Sequence, residues 1–92
     1  MSNEIFPKEL VDKTKLWLGE EGLKYFREWI EEFGKDWYFS CKIISGFPYS
    51  IHFNAGMSVR NFIRQSNLCE NLDCHFLDDN WYKLIELCLE KQ

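Results

Sequence analysis

Trp37-Tyr38-Phe39-Ser40-Cys41-Lys42-Ile43-Ile44-Ser45-Gly46-Phe47-Pro48-Tyr49-Ser50-Ile51-His52-Phe53 is the stretch on which the fold turns. Read with a period of two, Trp37, Phe39, Cys41 and Ile43 alternate with Tyr38, Ser40 and Lys42, as in a half-buried strand. Read with a period of 3.6, Trp37, Tyr38, Cys41 and Ile44 share one helical face. Ser45-Gly46-Phe47-Pro48 breaks the chain under either reading. A strand over 37–44 would pair with 49–53 as a hairpin, whereas a helix there would leave 49–53 as an extended linker.

On both sides the pattern is helical. Pro7 suits the start of a helix, on which Leu10, Thr14, Trp17 and Leu18 fall on one face before Gly19 ends it. A second helix is expected over 20–33, with Leu23, Phe26, Ile30 and Phe33 as its apolar stripe, widened by Trp29. Glu20–Lys24, Lys24–Glu28 and Arg27–Glu31 are opposite charges four residues apart on its solvated side. A third helix is expected from 54 or 55 to 65, with Val59, Phe62, Ile63 and Ser66 inward. Residues 67–77 read as a loop. Asp78 or Asp79 would cap a fourth helix, where Trp81, Leu84, Ile85 and Cys88 keep helical spacing. The expectation is therefore a mostly α, four-helix single domain over 1–92, with an α+β fold carrying a hairpin in 37–53 as the alternative. The expected core is Leu10, Trp17, Leu23, Phe26, Ile30, Phe33, Cys41, Val59, Phe62, Ile63, Trp81, Leu84, Ile85 and Cys88.

The chain has 92 residues and a formal net charge of −4, from 11 Lys+Arg and 15 Asp+Glu. Sixteen aromatics (Trp 4, Tyr 4, Phe 8) exceed what a small core readily hides, so some are expected at the surface as an interface. The acid is unevenly spread. Residues 37–69 hold no Asp or Glu and three bases, Lys42, Arg60 and Arg64. The overall acidic balance disfavours nucleic-acid phosphates as partners. No apolar run is long enough for a membrane span, and Met1-Ser2-Asn3-Glu4 does not open a secretory signal. A cytoplasmic location with reduced thiols is the resulting expectation.

The acid-free segment contains the most motif-like run, Ser50-Ile51-His52-Phe53-Asn54-Ala55-Gly56-Met57-Ser58-Val59-Arg60-Asn61-Phe62-Ile63-Arg64. His52 precedes a helix start, Gly56 permits close approach, and Arg60 and Arg64 share a helical face. That combination can hold an anion or a partner's carboxylate. The stronger reading is that it serves structure alone, with His52 bonded to a carbonyl, both arginines paired with the acidic flanking helices and Asn61 satisfying backbone groups. The candidate contact residues are His52, Arg60, Asn61 and Arg64, with Tyr49 and Phe53 as nearby aromatics. The pattern His52, Gly56, Val59, Arg60, Asn61, followed by Asp78-Asp79, resembles the core of small bacterial domains of unknown function. The resemblance spans residues 48–87 and implies a mostly helical fold and a bacterial or phage source. It brings no activity with it.

Other chemistry has weaker support. Cys69-x4-Cys74-His75 with Cys88 offers zinc-type ligands, but its spacing is wider than common zinc pairs, and Cys88 lies on an apolar stripe. No cofactor or metal is expected. The chain has two His and no hydrolase, zincin, Walker or dinucleotide pattern. A Cys–His dyad would require Cys41 or Cys69 to meet His52 in the fold. Tyr49, His52 and Phe53 with the two arginines could stack single-stranded bases, against the charge balance. The functional expectation is thus a non-enzymatic module binding a protein or an anionic group through the His52/Arg60/Arg64 region. One alternative is a small enzyme or anion-binding domain using those residues. Another is an acidic inhibitor-like protein using the faces of the second and fourth helices.

Overall fold

Pro7 stands in extended conformation immediately before the first helix, and its carbonyl accepts from the amides of Leu10 and Val11. The computed structural model describes residues 6–68 and 73–90. Helix α1 (Lys8–Phe33) is interrupted at Gly19, where φ is 69° and ψ is −177°. A 3-10 helix (Gly34–Phe39) follows, then strands β1 (Cys41–Ile44) and β2 (Phe47–Ser50), helix α2 (Ala55–Ser66) and helix α3 (Cys74–Leu89). No described helix is long and apolar enough to cross a membrane.

The architecture is mostly helical with one antiparallel hairpin, so the α+β alternative fits and the four-helix expectation does not. Two causes account for the difference. The spans on either side of Gly19 form one kinked element, and the ambiguous stretch divides. Its first part, through Phe39, winds as 3-10 helix, and only Cys41–Ile44 is strand. Ser45 and Gly46 both have positive φ, 53° and 85°, as a type I′ two-residue hairpin turn requires. That turn sets the register: Ile44 pairs with Phe47, Ile43 with Pro48, Lys42 with Tyr49 and Cys41 with Ser50.

The core gathers α1, α2 and α3 around two indoles. Trp37 and Trp81 are fully buried and meet edge-on at 5.5 Å. Phe26 packs edge-on against Trp37 from α1. Leu77, Leu84, Ile85 and Cys88 line the same face of α3 as Trp81, and Val59 and Ile63 come from α2. Phe6, Leu10, Trp29 and Ile51 complete this set. Aromatic side chains each bury a large area, which lets so short a chain form a contiguous interior. Thr14 is buried without penalty because its hydroxyl donates to the Leu10 carbonyl at 2.7 Å.

Several expected core residues sit elsewhere. Trp17 is 45% exposed and stacks on half-buried Phe62 at 4.4 Å. Cys41 is exposed, because strand alternation turns it away from the helices. Leu23, Ile30 and Phe33 are half-buried at the rim. Asp78 and Asp79 do not cap the last helix, which begins one turn earlier at Cys74 with Asp73 as its flanking residue. The three charge pairs expected along residues 20–31 are not closed. The ion pairs among the described residues are Lys8–Asp12, Lys42–Glu32 and Arg60–Asp78.

Candidate functional site

The register of the hairpin decides which side chains meet near His52. Ile51 donates to the Ser40 carbonyl at 3.3 Å, continuing the β1–β2 pairing one step beyond the strands. Just past this pair lie His52 and Phe39, the last residue of the 3-10 helix, and their rings are 6.1 Å apart. Alternation then places Cys41/Ser50 and Ile43/Pro48 on the outer face of the hairpin. Lys42 and Tyr49 point the other way, toward α1. The Lys42 ammonium sits over the Trp29 ring at 4.6 Å and pairs with Glu32 at 2.8 Å. The Tyr25 hydroxyl donates to that of Tyr49 at 3.0 Å. Burial and this hydroxyl contact hold the Tyr25 phenol well above its ordinary range.

After Ser50 the chain turns sharply into α2. The Asn54 side-chain amide donates to the Ser50 carbonyl at 2.6 Å, and the Gly56 amide donates to the Ile51 carbonyl at 2.7 Å. Gly56 is required here for space. A Cβ at this position would stand 2.8 Å from the Trp81 ring and 3.2 Å from the Ile51 carbonyl oxygen. The missing side chain lets α2 press its first turn onto the indole.

That approach brings His52, Arg60, Asp78 and Trp81 together. The Trp81 indole N–H donates to His52 Nδ1 at 3.2 Å, and an Arg60 Nη1 group lies 3.4 Å from the same nitrogen. Neither indole nor guanidinium can accept, so Nδ1 carries the lone pair and the proton of the neutral ring sits on Nε2. Arg60 Nε pairs with Asp78 at 3.3 Å. Burial and the neighbouring Arg60 hold the His52 pKa below its ordinary value, with Asp78 opposing them. Arg60 is only 7% exposed. Its pKa is lowered mainly by burial, against the pull of Asp78.

The other candidates lie outside this cluster. Asn61 is exposed, and its side-chain oxygen accepts from Arg64 at 3.3 Å. Met57, Asn61 and Arg64 follow one another at helical spacing along α2, and Met57 is 47% exposed. Phe53 is 67% exposed and stands edge-on to His52 at 4.9 Å. The structure thus brings His52, Phe53 and Arg60 into one contact chain, sets Asn61 and Arg64 beyond it and turns Tyr49 to the opposite face. Sequence reasoning missed Phe39, Trp81 and Asp78 as neighbours of His52. The period-two reading of residues 37–43 put Phe39 on one face with Trp37, which is fully buried, so it did not single Phe39 out. The contacts to Trp81 and Asp78 depend on how α3 crosses α2, which no local pattern encodes.

The possible zinc set is not assembled in the described part of the chain. Cys69 lies outside the described residues, as does the side chain of Cys74. Cys88 is buried with its thiol 3.7 Å from the Val11 carbonyl, and burial pushes its pKa up to about 11. Among the described residues no group of three His, Cys, Asp or Glu is placed to hold a metal. A groove of about 390 Å³ lies at the far end of the helices, lined by Phe6, Val11 and Leu87 with Lys8, Asp12, Lys15 and Glu90. The chain matches no family model, no curated protein and no solved structure.

Proposed function

We propose that this chain is a non-enzymatic interaction module that binds a protein partner through the outer face of its hairpin and the adjoining turn. The observation that carries this reading is the exposure of Phe39 (68%) and Phe53 (67%) on either side of His52, with Ile43 (71%) further along the outer face of the hairpin. Exposed apolar surface of this kind, rimmed by polar groups, marks contact sites in soluble proteins. No carboxylate occurs in residues 37–69, and α2 adds the polar Asn61 and Arg64 outside the His52 contact chain. A partner with apolar anchors flanked by acidic groups fits such a surface. The groups best suited to act on a bound anion, Arg60 and His52 Nδ1, are already committed to each other and to Asp78 and Trp81. This favours contact over chemistry.

The test is capture by the full chain from cells that make it, alongside a Phe39→Ser/Phe53→Ser double variant. Both phenylalanines are exposed, so the variant is expected to keep the wild-type unfolding midpoint. The expected result is a stoichiometric partner that the wild type retains and the double variant loses. Equal retention by both would refute the assignment.

A further inference from the structure

His52 joins the interior of the molecule to the exposed phenylalanines of the contact surface. On the inner side, Nδ1 accepts from the Trp81 indole N–H at 3.2 Å and lies 3.4 Å from Arg60 Nη1. On the outer side, the ring meets Phe53 edge-on at 4.9 Å and Phe39 at 6.1 Å. The imidazole is only half-buried, so solvent protons reach it. A change in its charge is therefore felt at once by a buried indole and by both exposed rings.

Nδ1 cannot keep its partners once it is protonated. An imidazolium has two N–H donors and no acceptor, whereas indole and guanidinium only donate. Trp81 is fully buried, so its N–H has no ready substitute for the lost acceptor. The charged groups around the ring do not rescue the bond. Arg60 comes from α2 and Asp78 from α3, while the 3-10 helix and the turn bring Phe39 and Phe53, which carry no charge. Asp78 already pairs with Arg60 Nε at 3.3 Å, so protonation sets two cations against one carboxylate. Burial and Arg60 keep the ring neutral at neutral pH, against the pull of Asp78. Arg64 acts on Arg60 rather than on the ring.

We propose that His52 is a proton-operated latch of the contact surface. Its neutral ring, anchored by Trp81, holds Phe39 and Phe53 in the binding arrangement. Acid frees the ring from Trp81, rearranges the two phenylalanines and releases the partner. The inference rests on the partner-binding reading and adds its regulation. An imidazolium seeks water, and its exposed neighbours are those two side chains, so it cannot turn outward without disturbing them. Below the folded His52 pKa the neutral fraction falls about tenfold for each pH unit, and the apparent affinity for the partner falls with it.

The test is a nuclear magnetic resonance titration of the full chain from about pH 8 to about pH 5, with elution of the captured partner followed over the same range. The expected result is one midpoint shared by the His52 ring nitrogens, the Trp81 indole proton and the Phe39 and Phe53 ring signals. Indole exchange quickens as the ring charges, while the Ile63 and Leu84 amides stay protected, and the partner elutes. His52→Asn sets an amide oxygen near the place of Nδ1 but does not titrate, so its Trp81 indole proton is expected to stay protected throughout. Where that variant fails to fold, the wild-type midpoints decide. Phe39 and Phe53 signals that ignore the His52 titration would overturn the proposal. So would global unfolding at that midpoint, a transition that persists in folded His52→Asn, or a partner still held once the ring is charged. The Phe39→Ser/Phe53→Ser capture at neutral pH tests the partner reading separately, and its failure would remove the partner but not the shared midpoint.

Discussion

Residues 50–64 carry two surfaces that share a sequence but not an environment. The inward surface consists of His52, Gly56 and Arg60, locked against Trp81 and Asp78 of α3. The outward surface consists of Phe53, Met57, Asn61 and Arg64, all reached by solvent. Each inward residue interleaves with an outward one at a few positions' distance. The comparison teaches that an arginine in an acid-free segment is not thereby a free cation. Arg60 finds its carboxylate on another helix, whereas Arg64, one turn later, among the described residues finds only the oxygen of Asn61.

That contrast breaks first at Gly56. Gly56→Ala drives a methyl group into the rigid indole of Trp81, and a loss of about 3 kcal/mol is expected by urea unfolding. An unchanged midpoint would mean that α2 and α3 are not in this close contact. The next largest effect is with pH. His52 accepts two hydrogen bonds at Nδ1 and has a lowered pKa, so the unfolded chain takes up its proton near pH 6.5 while the folded chain resists. Its contribution to stability is full above that pH and is lost as the pH falls from about 6.5 through the lower folded value. A His52→Ala variant is expected to lose this part of the acid sensitivity while being less stable at neutral pH. A pH–stability curve of unaltered shape would show that the ring does not act as the acceptor.

Smaller effects sharpen the outward side. Phe53→Ser and Met57→Ser, at exposed positions, are each expected to move stability by no more than about 0.5 kcal/mol. Larger losses would place these side chains in the core. The cysteines offer a comparison that needs no substitution. Cys41, on the outer hairpin face, is expected to alkylate readily in the native protein. Cys88, buried and with its thiol raised to about 11, is expected to react only on unfolding. Modification of Cys88 at the rate of Cys41 would contradict the packing of α1 against α3.

Much of the helical framework could be read from the chain. The third expected helix, from 54 or 55 to 65, differs from α2 by a residue at its end, because Asn67 adopts a left-handed cap that closes it. Leu10, Phe26, Val59, Ile63, Trp81, Leu84, Ile85 and Cys88 are buried as their spacing implied. Residues 37–44 resisted, since their pattern is two patterns in succession. Trp37 belongs to a 3-10 turn that buries it, and Cys41 to a strand that exposes it. The change falls at Ser40, which is extended and ends the 3-10 helix just before the strand begins. The site was legible as a list of residues but not as an arrangement. His52 and Arg60 could be singled out by type and spacing, but their commitment to Trp81 and Asp78 is a tertiary fact.

The most direct measurement is a paired urea titration of Arg60→Ala and Arg64→Ala. Both substitutions delete one guanidinium from α2, four residues apart. Arg60→Ala leaves Asp78 without its counter-charge, opens space beside His52 and is expected to cost about 2 kcal/mol. Arg64→Ala is expected to change stability by less than about 0.5 kcal/mol. Equal losses in the two variants, or a larger loss for Arg64→Ala, would contradict the division of this run into an inward clamp and an outward contact surface.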